Sequence, residues 1–261
     1  MREKGVKKTV ITELFQACEK SGCFEFDNEF VKKICKKEAF KNQFDATKCD
    51  NSNNLPDILR KKDYFVLHLG NGKHKFVKGI QRGYHKFEPI PDRNQYQWKY
   101  RKSLLNEYDT SESNILSVAL NQRILHDFLY EDIVASPKAY NSRRTKMTCS
   151  FHIGTERIEA ENLQIEIDFT LEHSGKVTVI EGKNGFPADF AVYQLFNPFK
   201  YFAELKTKSV LSMKEISCCY VLRDKAAKGS LLRLYNYTFD DADDMTSIHL
   251  AAAAQYELIK R

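Results

Sequence analysis

The chain has 261 residues, of which 42% are hydrophobic and 29% are charged, with a formal net charge of +6. This length suits one large domain or two small ones. Residues 1–100 hold 21 Lys and Arg against 13 Asp and Glu, so the positive charge is concentrated there. That asymmetry indicates a polyanionic partner. No segment approaches the roughly 18 apolar residues of a spanning helix, so a membrane protein is not predicted.

The first eight residues are charged rather than apolar, which predicts a cytoplasmic protein without a signal peptide. Seven cysteines are present, and none forms a Cys-x-x-Cys pair. Disulfides are not expected in a chain without an export signal. The four N-terminal cysteines match no standard zinc-ligand spacing, so we predict buried, reduced thiols.

The N-terminal segment shows three helical patterns, at residues 9–20, 27–37 and 55–62. Residues 64–78 then alternate around a Gly-Asn-Gly sequence, which predicts a β-hairpin with a basic tip. Three helices followed by such a hairpin resemble a winged helix-turn-helix module, in which the wing touches the DNA backbone. The alternative is a small α+β domain whose lysines only keep it soluble.

The winged-helix resemblance implies that cations of the hairpin contact phosphate without reading sequence. The candidate DNA-binding residues there are Lys73, His74, Lys75 and Lys78. Residues 84–104 contain two prolines and are interpreted as a linker or arm. The predicted organisation is therefore a DNA-binding domain over residues 1–83, this linker, and a second domain over residues 105–261.

The second domain opens with a helical pattern over residues 112–130, capped by Thr110 and Ser111. Glu112 lies in its first turn, where a carboxylate stabilises the helix dipole whatever the function. Residues 142–146 are predicted to be a loop ahead of a strand. Its three cations could clamp a phosphate or simply be solvated; they are Arg143, Arg144 and Lys146.

The most informative segment is residues 164–183, which contains two alternating runs joined by Ser174 and Gly175. A two-residue hairpin turn there fixes the strand pairing. Asp168 should lie opposite Glu181, and Glu166 opposite Lys183. Because side chains alternate along strands, all four should share one face.

Two carboxylates directly opposed on neighbouring strands repel each other. A hard divalent cation with oxygen ligands, such as Mg²⁺, relieves that repulsion. The alternative is a surface hairpin with incidental charges, since Glu-x-Lys is a common triplet; a second copy lies at residues 204–206.

Asp168 followed by Glu181-Gly182-Lys183 resembles the signature of the PD-(D/E)XK nucleases. Ile167 stands where many members of that superfamily have proline. The resemblance covers residues about 105 to 240 and includes the order of elements: helix, hairpin, helix, two more strands. It implies an α+β fold in two parts, a winged-helix-like domain followed by a core with a mixed central sheet flanked by helices.

The resemblance also implies roles for individual residues. Asp168, Glu181 and the backbone carbonyl of Gly182 would hold Mg²⁺, for which Mn²⁺ could substitute. Lys183 would position the attacking water. Glu112 would reach the metal directly or through water, and Gln194 on the following helix would help to align the water or the phosphate.

The expected function is that of a Mg²⁺-dependent endonuclease acting on double-stranded DNA, similar to type II restriction enzymes. Such an enzyme would form a homodimer and would have a cognate DNA methyltransferase as its protective partner. Within the enzyme class, the alternatives are a repair or junction nuclease and a nickase. Outside it, the alternative is a non-catalytic winged-helix regulator that only binds DNA.

Overall fold

A computed structural model describes residues 2–100, 104, 111–226 and 229–260. The fold is mixed α and β with a central mixed sheet, which confirms the α+β class. Among the described residues, no helix combines the length and apolarity that crossing a membrane requires.

The N-terminal part forms the predicted helices and hairpin. Its elements are α1 (Arg2–Ser21), β1 (Glu25–Asp27), α2 (Asn28–Lys37), α3 (Asp57–Lys62), β2 (Tyr64–Gly70) and β3 (Lys73–Lys78).

Local capping and pairing explain these boundaries. The Asp27 carboxylate accepts a hydrogen bond from the Phe30 backbone N–H at 2.9 Å and so caps α2. The short strand β1, which the sequence pattern did not indicate, pairs with β3 and gives a sheet of order β1-β3-β2.

The remaining elements begin immediately after β3. They are α4 (Ile80–Gly83), β4 (Tyr84–Lys86), β5 (Gln95–Tyr100), α5 (Glu112–Asn121), α6 (Ile124–Tyr130), β6 (Lys138–Tyr140), β7 (Arg143–Ile153), β8 (Glu156–Ile167), β9 (Phe169–His173), β10 (Lys176–Asn184), β11 (Asp189–Ala191), α7 (Tyr193–Thr207), β12 (Glu215–Ala226), β13 (Gly229–Phe239) and β14 (Ile248–Lys260).

Seven strands form the central sheet, in the order β5-β14-β13-β12-β10-β9-β6. Strands β10 and β12 are parallel because α7 connects them across one face of the sheet. Strands β7 and β8 form a separate long hairpin, and β4 pairs with β11. The expected linker is thus partly structured, since β5 is an edge strand and the Trp98 indole donates to the Gln122 carbonyl at 2.9 Å.

The side chains of β10 point alternately to the two faces of this sheet. Ile180 packs with the apolar side chains of α5 and α6, whereas Val179 packs on the opposite face with α7. The core on the α7 face continues into the N-terminal part and includes Phe15 and Phe76. The two parts of the chain therefore share one hydrophobic core, and Glu181 and Lys183, in phase with Val179, point toward their junction.

Two local expectations need correction. The helix expected over residues 112–130 is two helices, because Arg123 adopts a left-handed conformation with φ of 61°. The expected cationic loop is the start of β7, which begins at Arg143.

Candidate active site

The β9–β10 hairpin has the register that the sequence predicts. His173 pairs with Lys176, and the ladder continues to Phe169 opposite Ile180. Both turn residues have positive φ, 51° for Ser174 and 84° for Gly175, as in a type I′ turn. This turn matches the strand twist and fixes which residues of the two strands face each other.

Asp168 lies one residue beyond the ladder, at a bend between β8 and β9. The Gly182 backbone N–H donates to Asp168 Oδ2 at 3.5 Å. The Asp168 carboxylate also lies close enough to Glu181 to help raise the pKa of the Glu181 carboxyl. The two acids therefore meet as expected, although a bend rather than a regular strand pair brings them together.

Glu166 does not lie opposite Lys183. The Asp168 bend separates β8, which belongs to the β7–β8 hairpin, from β9 in the central sheet, and Glu166 on β8 pairs with Arg144 on β7. Its carboxylate lies 3.1 Å from Arg144 Nε and 3.6 Å from Lys48 Nζ. Glu166 still lines the same cleft as the other three residues, but across from them rather than beside Lys183.

Glu181 and Lys183 form a partly buried ion pair. Glu181 Oε1 lies 3.0 Å from Lys183 Nζ, and the side chains are 13% and 23% exposed. Burial raises the pKa of Glu181 to about 8, and the neighbouring Asp168 adds to the increase while Lys183 opposes it. Near neutral pH the acidic pair therefore retains a proton, which a bound cation would displace.

Gln194 lies in the first turn of α7 and lines the same cleft. Its Oε1 accepts from the Tyr220 hydroxyl at 2.9 Å, and its Nε2 lies 3.5 Å from Asp50 Oδ1. Tyr220 is the β12 neighbour of Glu181 in the parallel ladder. The Gln194 amide is thus oriented from two sides beside the acidic pair.

Asp50 is a cleft residue that sequence reasoning missed. It follows the buried Cys49 in the loop between α2 and α3, and its carbonyl accepts from the Ala191 N–H at 2.9 Å. No local sequence pattern indicates that Asp50 lies in the cleft, because a contact with residues near the start of α7 places it there.

The acidic pair lies in a cleft of about 770 Å³ between the N-terminal part and the β7–β8 hairpin. Besides Lys183, four cationic side chains of the described residues line this cleft, two from each part of the chain: Lys48, Lys73, Arg144 and Lys146. All four are exposed, so their charges are available to an anion that enters.

Three predicted DNA-binding cations lie outside this lining. The Arg143 guanidinium stacks on the Tyr201 ring at 5.1 Å, because alternation along β7 turns Arg143 away from the face of Arg144. Lys75 Nζ is held by Glu25 at 3.2 Å and by Glu156 at 3.1 Å. Lys78 is exposed at the far end of β3.

His74 borders the cleft but is 6% exposed, which corrects the expectation of an exposed cation on the hairpin tip. Its Nε2 lies 2.8 Å from Asn28 Oδ1, and its Nδ1 lies 3.1 Å from His68 Nδ1. Burial lowers the pKa of His74 to about 4 and that of His68 to about 3. Both rings are therefore neutral near pH 7, and His74 adds no positive charge.

The hairpin tip packs against the second half of the chain instead of projecting into solvent. Asn71 Nδ2 lies 3.2 Å from Glu161 Oε2, and Asn162 Nδ2 lies 3.2 Å from Asn71 Oδ1. A Cβ on Gly70 would lie 2.0 Å from the Glu161 carbonyl oxygen, so only glycine permits this approach. The contact fixes Lys73 at the cleft.

The described residues contain no group of three or more His, Cys, Asp or Glu side chains arranged as metal ligands. Asp168 and Glu181 nevertheless form a pair of oxygen donors whose mutual repulsion a cation would relieve. Mg²⁺ commonly binds through one or two carboxylates and keeps several waters, so this pair fits it. The side chain of Glu112 lies outside the described residues.

Two family profiles match the chain, and both describe domains of unknown function. DUF6996 matches residues 8–76, which cover the N-terminal helices and most of the hairpin. DUF6997 matches residues 79–257, which include the acidic pair and more than half of the chain. No curated protein and no solved structure matches the chain. The chain therefore belongs to the DUF6997 family.

Proposed function

We propose that this protein is a divalent-metal-dependent nuclease that cleaves DNA bound in the cleft. The observation that carries the proposal is the convergence of Asp168, Glu181 and Lys183 in a cleft lined by cations from both parts of the chain. A carboxylate pair beside an ammonium suits chemistry on a phosphodiester, and the surrounding cations would hold the flanking phosphates.

The arrangement of elements supports a nuclease core of the PD-(D/E)XK type. Asp168 lies at the start of β9, and Glu181 and Lys183 lie on the adjacent strand β10. Helix α7 then leads to β12, which is parallel to β10, while α5 covers the opposite face. This matches the order of helix, hairpin, helix and further strands that the motif implies.

The N-terminal part supports a winged-helix-like module in a modified role. Its order α1-β1-α2-α3-β2-β3 and its three-stranded sheet suit that assignment. The hairpin tip packs against β8, however, so we propose that this wing supplies Lys73 to a shared cleft rather than contacting DNA with its tip.

A metal ion would be held by Asp168, Glu181 and the Gly182 carbonyl. When bound, such an ion polarises the phosphoryl oxygen and lowers the pKa of its coordinated water. The chain's own contribution is to place two acids together in a partly buried position. The raised pKa of Glu181 means that its carboxyl keeps its proton near neutral pH, and a bound cation would favour loss of that proton.

Lys183 would hold the scissile phosphate or the attacking water. The Lys183 side chain is 23% exposed, and its Nζ lies 3.0 Å from Glu181 Oε1, so the lysine is positioned but still accessible. Gln194, oriented by Tyr220 and Asp50, would supply a further amide for the same purpose. We assign both residues to positioning rather than to proton abstraction.

The direct test is plasmid digestion by the purified protein with Mg²⁺, with Mn²⁺ and with EDTA. Metal-dependent cleavage that Asp168→Asn abolishes supports the proposal. Intact DNA under all metal conditions, together with retained DNA binding, would overturn it in favour of a regulator.

The products also decide the class of nuclease. We propose a site-specific enzyme of the type II restriction kind, which predicts discrete fragments and protection by a cognate methyltransferase. Cleavage of both strands requires two active sites or two successive visits, so a homodimer is expected, and sedimentation analysis would detect it. A smear of products, or a single nick, would replace this assignment with a nonspecific nuclease or a nickase.

A further inference from the structure

Phe44 has a large apolar side chain that is exposed to solvent at the cleft. It is 72% exposed, and among the described residues it is the one strongly exposed large hydrophobic side chain that also lines the cleft. An exposed phenyl ring forgoes the burial that stabilises most phenylalanines. Such an exposed ring at a candidate binding site indicates a partner.

The chain directly after Phe44 is anchored, and a turn spans the ring position. Ala46, Thr47 and Cys49 are at most 2% exposed. Lys7 Nζ lies 2.9 Å from Asp45 Oδ2, and the Asp45 N–H donates to the Asn42 carbonyl at 3.1 Å. The surrounding packing thus presents the ring outward, and its exposure does not come from an unanchored loop.

Much of the cleft lining that Phe44 shares is polar or cationic. The amides of Gln43 and Asn197 line the same cleft, as do Lys48 and Lys146. A hydrophobic peptide would leave these polar groups unpaired, whereas a nucleotide offers phosphates to the cations, base edges to the amides and a flat face to the ring. The lining therefore favours nucleic acid as the occupant.

We infer that Phe44 stacks on an unpaired nucleobase, so that the substrate carries at least one unstacked nucleotide within the cleft. Bases of an intact duplex are stacked on both faces, and a protein ring reaches a base face only when that base is unpaired, flipped out or single-stranded. This inference rests on the proposed function, and it specifies the form of DNA that the cleft accepts.

The test compares binding of three probes in EDTA, which prevents metal-dependent cleavage. The probes are a paired duplex, the same duplex with one unpaired adenine, and the corresponding single strand. Wild-type protein should bind the two probes with unpaired bases more tightly than the paired duplex. Phe44→Ala should weaken binding to those two probes by roughly 5- to 150-fold and leave paired-duplex binding nearly unchanged.

Variants at the same position separate stacking from simple apolar contact. Phe44→Trp should retain the preference, whereas Phe44→Leu should lose most of it. Val134→Ala, at a residue 80% exposed and outside the cleft lining, serves as the matched control and should change nothing. Melting temperatures should agree among all these variants because the ring contributes little buried area.

The possible failures are distinguishable. Equal affinity of wild-type protein for paired and unpaired probes, or an equal loss on all probes in Phe44→Ala, would overturn the stacking inference and leave the proposed nuclease intact. Absence of DNA binding by wild-type protein would overturn both. A preference that Phe44→Leu fully retains would replace stacking with nonspecific apolar contact.

Discussion

The cleft has a floor, formed by Asp168, Glu181 and Lys183, and a rim, formed by Lys48, Lys73, Arg144 and Lys146. The two regions differ in how far solvent reaches their charged groups. On the floor, Glu181 is 13% exposed, and its carboxyl has a strongly raised pKa next to another acid. On the rim, Arg144 and Lys48 remain 75% and 48% exposed even though both contact Glu166. Solvent screens the rim charges, whereas the floor charges interact in a partly water-excluded site.

Because of this difference in exposure, we expect the two regions to have different roles. A screened cation adds affinity and salt dependence but discriminates little between ground state and transition state. A buried acid pair with a positioned ammonium can favour the charge distribution of a reacting phosphate. Mutations on the floor should therefore change rate, and mutations on the rim should change binding.

The largest effect is expected at the acidic pair. Asp168→Asn and Glu181→Gln, each made separately, should lower single-turnover cleavage in Mg²⁺ by more than about 1,000-fold, because removal of one carboxylate charge weakens the metal site. DNA binding in EDTA should stay within about threefold of wild type or improve, since a negative charge near phosphate is lost. A variant that binds normally and still cuts rapidly would remove this pair from the active site.

A smaller loss of rate is expected at Lys183. Lys183→Ala should slow cleavage by about 100-fold through loss of a positioning charge, while DNA affinity changes little. Lys183→Arg should also be slow, because the planar guanidinium cannot occupy the position of a compact ammonium. Loss of an ordinary exposed ion pair would instead change only stability, by about 0–1 kcal/mol. Cleavage rates compared with melting temperatures distinguish these outcomes.

The rim should affect affinity rather than chemistry. The double variant Lys73→Ala with Lys146→Ala should weaken DNA binding similarly on unrelated sequences. It should also reduce the slope of log affinity against log salt by roughly two units, about 0.9 for each phosphate contact. Single-turnover rates at saturating DNA should change by less than about threefold. Lys138→Ala, an exposed lysine outside the cleft lining, is the charge-matched control.

An unchanged salt slope in that double variant would place DNA outside the cleft. The same result combined with a slope change in Lys78→Ala would restore the sequence-based expectation that the outer hairpin surface contacts DNA.

The smallest effect concerns the pH dependence of stability in the absence of metal. The folded-state pKa of Glu181, about 8, exceeds its ordinary value, so the folded protein binds this proton more tightly than the unfolded chain does. Stability from this group is therefore present below about pH 4.5 and is lost as pH rises toward 8. Glu181→Gln should abolish this decline and raise the melting temperature at pH 8 by a few degrees. Thermal unfolding of both proteins from pH 5 to 8 would show an identical pH profile if the carboxyl is not perturbed.

Mg²⁺ provides an independent check of the same group. Because the metal binds the deprotonated carboxylates, its affinity should rise with pH up to about 8 in wild type. Calorimetric titration of Asp168→Asn should show little binding at any pH, and this measurement requires no cleavage activity.

Elements with local signals were predictable from the sequence. The register of β9 and β10 follows from the Ser174-Gly175 turn and from side-chain alternation, and both are properties of neighbouring residues. The capped helix α2 and the hairpin of β2 and β3 were predictable for the same reason. These local rules brought Glu181 and Lys183 to one face without any knowledge of the rest of the fold.

Long-range packing set which other residues lie near that face. The bend at Asp168 moved Glu166 into a different strand pair, and alternation within the longer β7 turned Arg143 away from the cleft. Asp50 and Phe44 reached the cleft through packing of a loop far from β10 in sequence. Turns and side-chain alternation depend on adjacent residues. These placements depend instead on which distant surfaces pack together and bury apolar area. Because the burial free energy is summed over the whole chain, no short stretch of sequence indicates it.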